Sequence, residues 1–213
     1  MIGATFRRNA RSSETDRELL IDRHLPTYDV TRLRHAVVNA TPEVAYDAVR
    51  EVNLTRIGVG PRLLSELRYL PARILARVRG TEPPETPESV TFDELTAGTG
   101  YVVLDESPGE EFVLGAVGKF WKPEIEWADV DAEDFSAFDR PGYAKLAIGV
   151  SVRPYGSDRT LVTYEARTAT TDEQSRRRFR RYWTIIGPFA GYLMGRVLRT
   201  VRADLERRTL AVE

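Results

Sequence analysis

Residues 143–169 read YAKLAIGVSVRPYGSDRTLVTYEARTA, and together with the helical pattern over 171–207 they decide the fold. Two strand-like segments, 143–153 and 160–169, are joined by a turn-rich stretch of Pro, Gly, Ser and Asp at 154–158. Side chains alternate between two faces along both segments, which is typical of antiparallel strands with one covered face. A hairpin that leads into a long amphipathic helix predicts an α+β fold, in which the helix covers one face of a curved antiparallel sheet.

The segment 171–207 predicts one very long helix. Residues 171–174 (TDEQ) match a capping box, and apolar residues then recur at spacings of three and four along one stripe. A straight helix of this length would span ~54 Å, whereas a compact domain of this chain length is only ~45 Å across. We therefore expect a bend at Gly187 and Pro188, because Pro188 cannot donate a hydrogen bond to the carbonyl of Thr184.

The rest of the chain predicts a smaller set of elements. Residues 1–27 are expected to form a mobile, mainly solvated arm with a short helix over 16–23, and 28–213 a single domain. Within that domain the patterns predict a first strand at 28–39, a helix from Thr41 onward, a second helix from 63 to about 74 and a short helix from Thr91 onward. They then predict a hairpin of 101–106 with 111–121, a further strand at 125–130 and another short helix from Asp131 onward.

Composition excludes several classes of function. The chain has 213 residues, no cysteine and only two histidines, His24 and His35, so disulfides, thiolate zinc sites and cysteine nucleophiles are excluded and no metal site is expected. The chain has a net charge of −1, whereas a nucleic-acid-binding domain normally carries an excess of basic residues, so nucleic-acid binding is not expected. No apolar run approaches the ~20 residues of a membrane span, and the N-terminus lacks the apolar region of a secretory signal. We expect a cytoplasmic protein without a cofactor.

Aromatic residues near the long helix form the candidate pocket. Aromatic side chains offer much apolar contact area, and Tyr and Trp add a polar tip. A filled core would explain the same residues, so both interpretations stay open at this point. The predicted ligand-binding residues are Trp121, Tyr164, Tyr182, Trp183, Ile186 and Phe189.

Three further patterns have a structural and a functional interpretation. Glu165 and Arg167 lie on one face of a strand, so they form either a surface pair, which we favour, or a polar pair inside a ligand site. Gly187, Gly191 and Gly195 share a helix face that lets another element or a ligand approach closely. The arginine-rich run 176–181 could bind phosphate, but consecutive arginines point around a helix, which favours a solvated face.

The order of elements resembles the helix-grip fold of the START-like superfamily, also called SRPBCC, which includes polyketide cyclase/dehydrase-like proteins. The residues that carry the resemblance are 37–46 (VVNATPEVAY), 117–121 (VGKFW), 138–145 (FDRPGYAK), 163–171 (TYEARTATT) and 179–183 (FRRYW). It covers about residues 28–207 and implies an apolar cavity between the sheet and the terminal helix. The superfamily has no universal catalytic residues, so none is assigned.

Three functions follow from these observations. The leading hypothesis is storage, transport or sensing of a small hydrophobic ligand, such as a lipid or polyketide, in the cavity. The second is a cyclase or dehydratase-type enzyme, a lyase or isomerase, in which a buried tyrosine or carboxylate transfers protons. The third is a protein-interaction module whose cavity is filled. We expect binding rather than catalysis, and no oligomeric state is predicted.

Overall fold

The computed structural model of the protein describes residues 18–53, 91–92, 100–122 and 124–210. The helices are α1 (Leu20–His24), α2 (Pro42–Arg50), α3 (Ala132–Phe135) and α4 (Glu173–Leu210). The strands are β1 (Val30–Val38), β2 (Tyr101–Ser107), β3 (Glu111–Gly118), β4 (Trp127–Ala128), β5 (Ala144–Pro154) and β6 (Thr160–Thr170).

The strands form one antiparallel sheet in the order β1–β6–β5–β3–β2, and β4 pairs with one end of β3. The hairpin between β5 and β6 is the element that the sequence pattern predicts most directly. Its turn contains Gly156 at a φ of +81°, a left-handed conformation that favours glycine, and Tyr155 donates to the carbonyl of Arg159 across the turn. The predicted α+β fold, a curved antiparallel sheet with a long C-terminal helix, is confirmed.

One face of the sheet is covered by α2 and by the C-terminal half of α4. The apolar side of α2 packs there because its valine and alanine side chains recur at helical spacing. The core of this face is fully buried, with Val38, Ala45, Val49, Phe112, Val150, Val152, Val162, Val197, Leu198 and Val201 among its members. Close to the start of α4, a smaller cluster joins Ala116, Phe120, Ala144 and Phe179.

The opposite face is covered by α1 and α3. Leu20, Ile21 and Leu25 are buried there, and the backbone N–H of Leu20 donates to a carboxylate oxygen of buried Glu111 at 3.0 Å. The expectation of a solvated arm is therefore wrong for residues 20–25, because their apolar side chains pack on the sheet. The short helix predicted over 16–23 lies at Leu20–His24, and residues 1–17 lie outside the described part of the chain.

Several boundaries differ from the predictions. The strand expected at 125–130 has only the two residues of β4. The helix α4 is capped by Asp172, whose carboxylate accepts from the backbone N–H and the hydroxyl of Ser175. It continues through Pro188 without interruption, and the bend there stays a prediction. The helix expected at 63–74 and most of the short helix near Thr91 lie outside the described residues.

Candidate functional site

The neighbouring strands β5 and β6 carry inward-facing residues that are not fully buried. On the side that faces α4, Leu146 of β5 and Tyr164 and Ala166 of β6 are only partly buried. Their neighbours along the same strand faces are closed off, since Ala144 and Val162 have no exposed surface and Thr168 is 3% exposed. Interior side chains of a filled core pack at the density of a crystal. This partly exposed set, Leu146, Tyr164 and Ala166, lies over the middle of the sheet and is called here the sheet hollow.

An aromatic wall stands beside the sheet hollow. Trp121, which follows β3, and Tyr182 and Trp183 of α4 all pack against the cluster of Phe120 and Phe179. The rings of Trp183 and Phe179 are stacked, with centroids 5.6 Å apart. Tyr101 and Leu146 contact both this cluster and the main core, so the aromatic wall and the sheet hollow adjoin.

Three polar groups face this region. The indole N–H of Trp121 is buried and has no hydrogen-bond partner among the described residues. The guanidinium of Arg32 lies over the ring of Trp183 at 5.3 Å, and Arg32 is the cross-strand neighbour of Ala166. Burial raises the pKa of Tyr164, with a smaller contribution from Tyr101, so its phenol stays protonated at neutral pH. The region thus combines apolar surface with hydrogen-bond donors.

The structure brings four of the six predicted site residues to this region. Trp121, Tyr182 and Trp183 form the aromatic wall, and Tyr164 belongs to the sheet hollow. Ile186 is partly buried on the next turn of α4, whereas Phe189 is 37% exposed. Sequence reasoning did not select Leu146, Ala166 or Arg32. Strand alternation places the first two on the inward face, but only the assembled sheet shows that they retain accessible surface.

The pair Glu165 and Arg167 is buried on the opposite face of the sheet. Arg167 is 6% exposed, and its Nε lies 2.7 Å from Oε1 of Glu165. The same guanidinium pairs with Asp22 at 2.8 Å and donates to the carbonyl of Leu25 at 3.2 Å. The interpretation of these residues as a surface pair, which the sequence favours, is therefore wrong, because α1 and the residues after it cover this face. The pair does not line the sheet hollow either.

The glycines of α4 allow arginines of β1 to reach the helix. The Nε of Arg32 donates to the carbonyl of Gly187 at 3.3 Å, and that of Arg34 to the carbonyl of Gly191 at 3.1 Å. A Cβ added at Gly191 would lie 2.7 Å from the Arg34 guanidinium, which is closer than real Cβ contacts. These contacts favour packing against the sheet over ligand binding as the role of these two glycines.

The arginine-rich run at the start of α4 is solvated. Its five arginines, 176, 177, 178, 180 and 181, are exposed, while Phe179 between them is buried. Arg176 pairs with Asp29 at 2.8 Å and with Glu173 at 3.1 Å. The prediction of a solvated helix face is confirmed for this run.

Neither a metal site nor a membrane span emerges from the part of the chain that the structure describes. Over those residues, no three His, Cys, Asp or Glu side chains are grouped so that they could hold a metal ion. Over the same residues, no helix combines the length and apolar character needed to cross a bilayer.

Comparison with known proteins gives only distant structural similarity. No protein-family model and no curated protein matches the sequence. A conserved protein from Geobacillus kaustophilus has a TM-score of 0.38 and 14% identity over 84% of this chain and 96% of its own. A protein from Arthrobacter aurescens has a TM-score of 0.37 and 16% identity over 85% of this chain and 91% of its own. An aromatase/cyclase from a Streptomyces species has a TM-score of 0.29 and 11% identity over 84% of this chain and 95% of its own. All three TM-scores lie below 0.5.

Proposed function

We propose that the protein binds a small hydrophobic molecule in the sheet hollow, beside the aromatic wall. The observation that carries this proposal is the partial exposure of Leu146, Tyr164 and Ala166 on the covered face of the neighbouring strands β5 and β6. Such apolar surface is normally removed from water by packing. A ligand that covers it gains about 25 cal/mol per Å² of buried apolar area, before the costs of association are subtracted.

The polar groups indicate what the ligand carries besides its apolar body. A buried donor without a partner costs roughly 1–3 kcal/mol, and the Trp121 indole N–H is such a donor. A carbonyl or hydroxyl oxygen on the ligand would accept this hydrogen bond and remove that cost. The protonated phenol of Tyr164 offers a second donor. The proposed ligand is therefore a mainly apolar molecule with at least one hydrogen-bond acceptor.

Binding accounts for these groups better than the cyclase or dehydratase alternative. A general base needs a pKa close to the working pH, but burial raises the pKa of Tyr164. This phenol can donate a hydrogen bond and is a poor base at neutral pH. The other two polar groups that face this region, the Trp121 indole and the Arg32 guanidinium, are donors only.

A fluorescence titration with N-phenyl-1-naphthylamine, a neutral apolar probe, tests the proposal. We expect the wild-type protein to bind the probe and Ala166→Phe to weaken binding at least tenfold, because the larger side chain occupies the hollow. Ala169→Phe is the matched control: Ala169 is also partly buried on β6, but it packs with the core of the opposite face. Circular dichroism confirms that each variant is folded. Equal affinity of wild type and Ala166→Phe would refute the proposal.

A further inference from the structure

A second concave site lies between α4 and β1, the strand that ends the described sheet. This cleft has a volume of about 550 Å³. It forms where Gly191 and Gly195 leave the helix surface without side chains beside the unpaired edge of β1. Its volume is in the range of pockets that hold small molecules. None of its lining residues belongs to the sheet hollow or to the aromatic wall.

The cleft is strongly cationic. Arg34, Arg199 and Arg202 line it, and no carboxylate does so among the described residues. Arg34 donates to two backbone carbonyls, those of Gly191 and Leu33, and forms no ion pair within the described part of the chain. Arg202 is paired with Glu206 at 2.8 Å, just outside the lining.

Arg199 is the most available of the three guanidiniums. It is exposed, and its side chain makes no hydrogen bond or ion pair with any residue in the described ranges. Its Nη1 lies 3.6 Å from the position that a Cβ on Gly195 would take, so the guanidinium rests at the glycine gap. Guanidinium groups present a planar fork of donors that matches carboxylate, sulfonate and phosphate oxygens. The side chain is therefore placed to receive an anionic group.

The cleft also contains an aromatic side chain. Tyr192 lines it and is 49% exposed, so its ring is accessible from the cleft. A tyrosine ring supplies flat apolar contact area at low entropic cost. The combination of Arg34, Arg199 and Tyr192 thus offers charge recognition next to a surface on which a ring can lie.

We propose that this cleft is a binding site for a small organic anion. The anionic head would lie between Arg34 and Arg199, and an aromatic or apolar body would lie against Tyr192. The site is separate from the proposed hydrophobic site, so the two can be tested independently.

Isothermal titration calorimetry with naphthalene-2-sulfonate tests this site. We expect Arg199→Gln to weaken binding at least fivefold without changing the melting temperature, since Arg199 is exposed and unpaired in the described structure. Arg177→Gln is the matched control: it removes an exposed arginine of the same helix about 33 Å away along the axis. Binding should weaken as salt concentration rises. The uncharged 2-naphthol should bind at least fivefold more weakly than the sulfonate.

Each alternative result overturns the anion site. Absence of binding to the wild type at millimolar sulfonate would do so, as would equal affinity of Arg199→Gln and wild type. An equal loss in Arg177→Gln would show non-specific attraction to the charged helix. Loss of sulfonate binding in Ala166→Phe would place the probe in the sheet hollow instead. The proposed hydrophobic site fails separately, through the neutral probe, so the two failures are distinguishable.

Discussion

Enlarging one alanine at the sheet hollow and one in the filled core should change the stability by different amounts. Ala166 of β6 is partly buried at the hollow, whereas Ala144 of β5 has no exposed surface and packs with Phe120 and Phe179. Replacement of Ala144 by Leu adds three carbon atoms to a closed cluster, and overpacking of this kind costs about 1–3 kcal/mol. In the proposed site the same atoms at Ala166 would enter accessible space, where each buried methylene can gain up to ~0.8 kcal/mol.

We therefore expect Ala166→Leu to change the free energy of unfolding by less than about 1 kcal/mol in either direction, and Ala144→Leu to lower it by about 2 kcal/mol. Urea denaturation followed by tryptophan fluorescence measures both values, and an unchanged urea dependence shows that only stability has changed. If Ala166→Leu loses as much stability as Ala144→Leu, the space over Ala166 is already filled, and the reasoning from partial exposure is refuted.

Three other substitutions test the contacts around the site. Arg167→Met should lower the free energy of unfolding by about 3 kcal/mol in urea denaturation, because it leaves the carboxylate of Glu165 buried without its charged partner. The double variant Glu165→Met with Arg167→Met should lose less stability than Arg167→Met alone. Asp172→Ala should cost about 1 kcal/mol at pH 7 through loss of the cap of α4. Trp183→Ala should cost on the order of 2 kcal/mol, since a partly buried ring loses its stacking on Phe179.

The cap prediction includes a dependence on pH. Hydrogen bonds to the carboxylate, first from the hydroxyl and then from the backbone N–H of Ser175 and from that of Gly142, hold the pKa of Asp172 below its usual range. A lowered pKa in the folded state means that the carboxylate contributes its full stability above the ordinary aspartate pKa of about 3.9 and loses it as the pH falls. The stability difference between wild type and Asp172→Ala should therefore shrink as the pH falls below about 5.

Specific results would contradict these three predictions. A double variant at Glu165 and Arg167 that loses the sum of the two single losses would show that the residues do not act as a pair. A stability difference at Asp172 that is constant with pH would exclude a role for the carboxylate charge. A loss below ~0.5 kcal/mol for Trp183→Ala would place that ring on the surface.

The elements that the sequence predicts well are those with a local pattern. Strand alternation in 143–153 and 160–169 and the apolar stripe of 171–207 each predict an element from spacing alone, and β5, β6 and α4 begin and end within a few residues of these limits. The strand alternation and the turn at Gly156 both agree with the observed pairing register of β5 and β6. Local and tertiary preferences therefore favour the same structure in this hairpin.

The face to which a side chain points proved harder to predict. Alternation shows that Glu165 and Arg167 share a face, but not whether another element covers that face. The cover is α1, whose Leu20 and Ile21 belong to a short apolar run that is flanked by charged residues and looks like part of a solvated arm. The signal that could have revealed it is the apolar set formed by Leu19, Leu20, Ile21 and Leu25, which lies on a short helix and the residues that flank it.

The sheet hollow could not be predicted in detail for a similar reason. Trp121, Tyr164, Tyr182 and Trp183 were selected as aromatic residues near the long helix, and the structure places them in one region. Leu146 and Ala166 have ordinary core side chains, so only the three-dimensional packing distinguishes them from buried neighbours such as Ile148 and Val162. The arginines of β1 were missed because charged residues on an edge strand usually face solvent.

The central claim is that space accessible to an apolar guest lies between the sheet and the first half of α4. A crystal structure of the protein under xenon pressure tests it most directly, because xenon occupies apolar cavities without needing a hydrogen bond. We expect a xenon site in contact with the side chains of Leu146 and Ala166, within reach of Trp121. Electron density in which protein side chains fill that position, and xenon binds elsewhere or not at all, would contradict it.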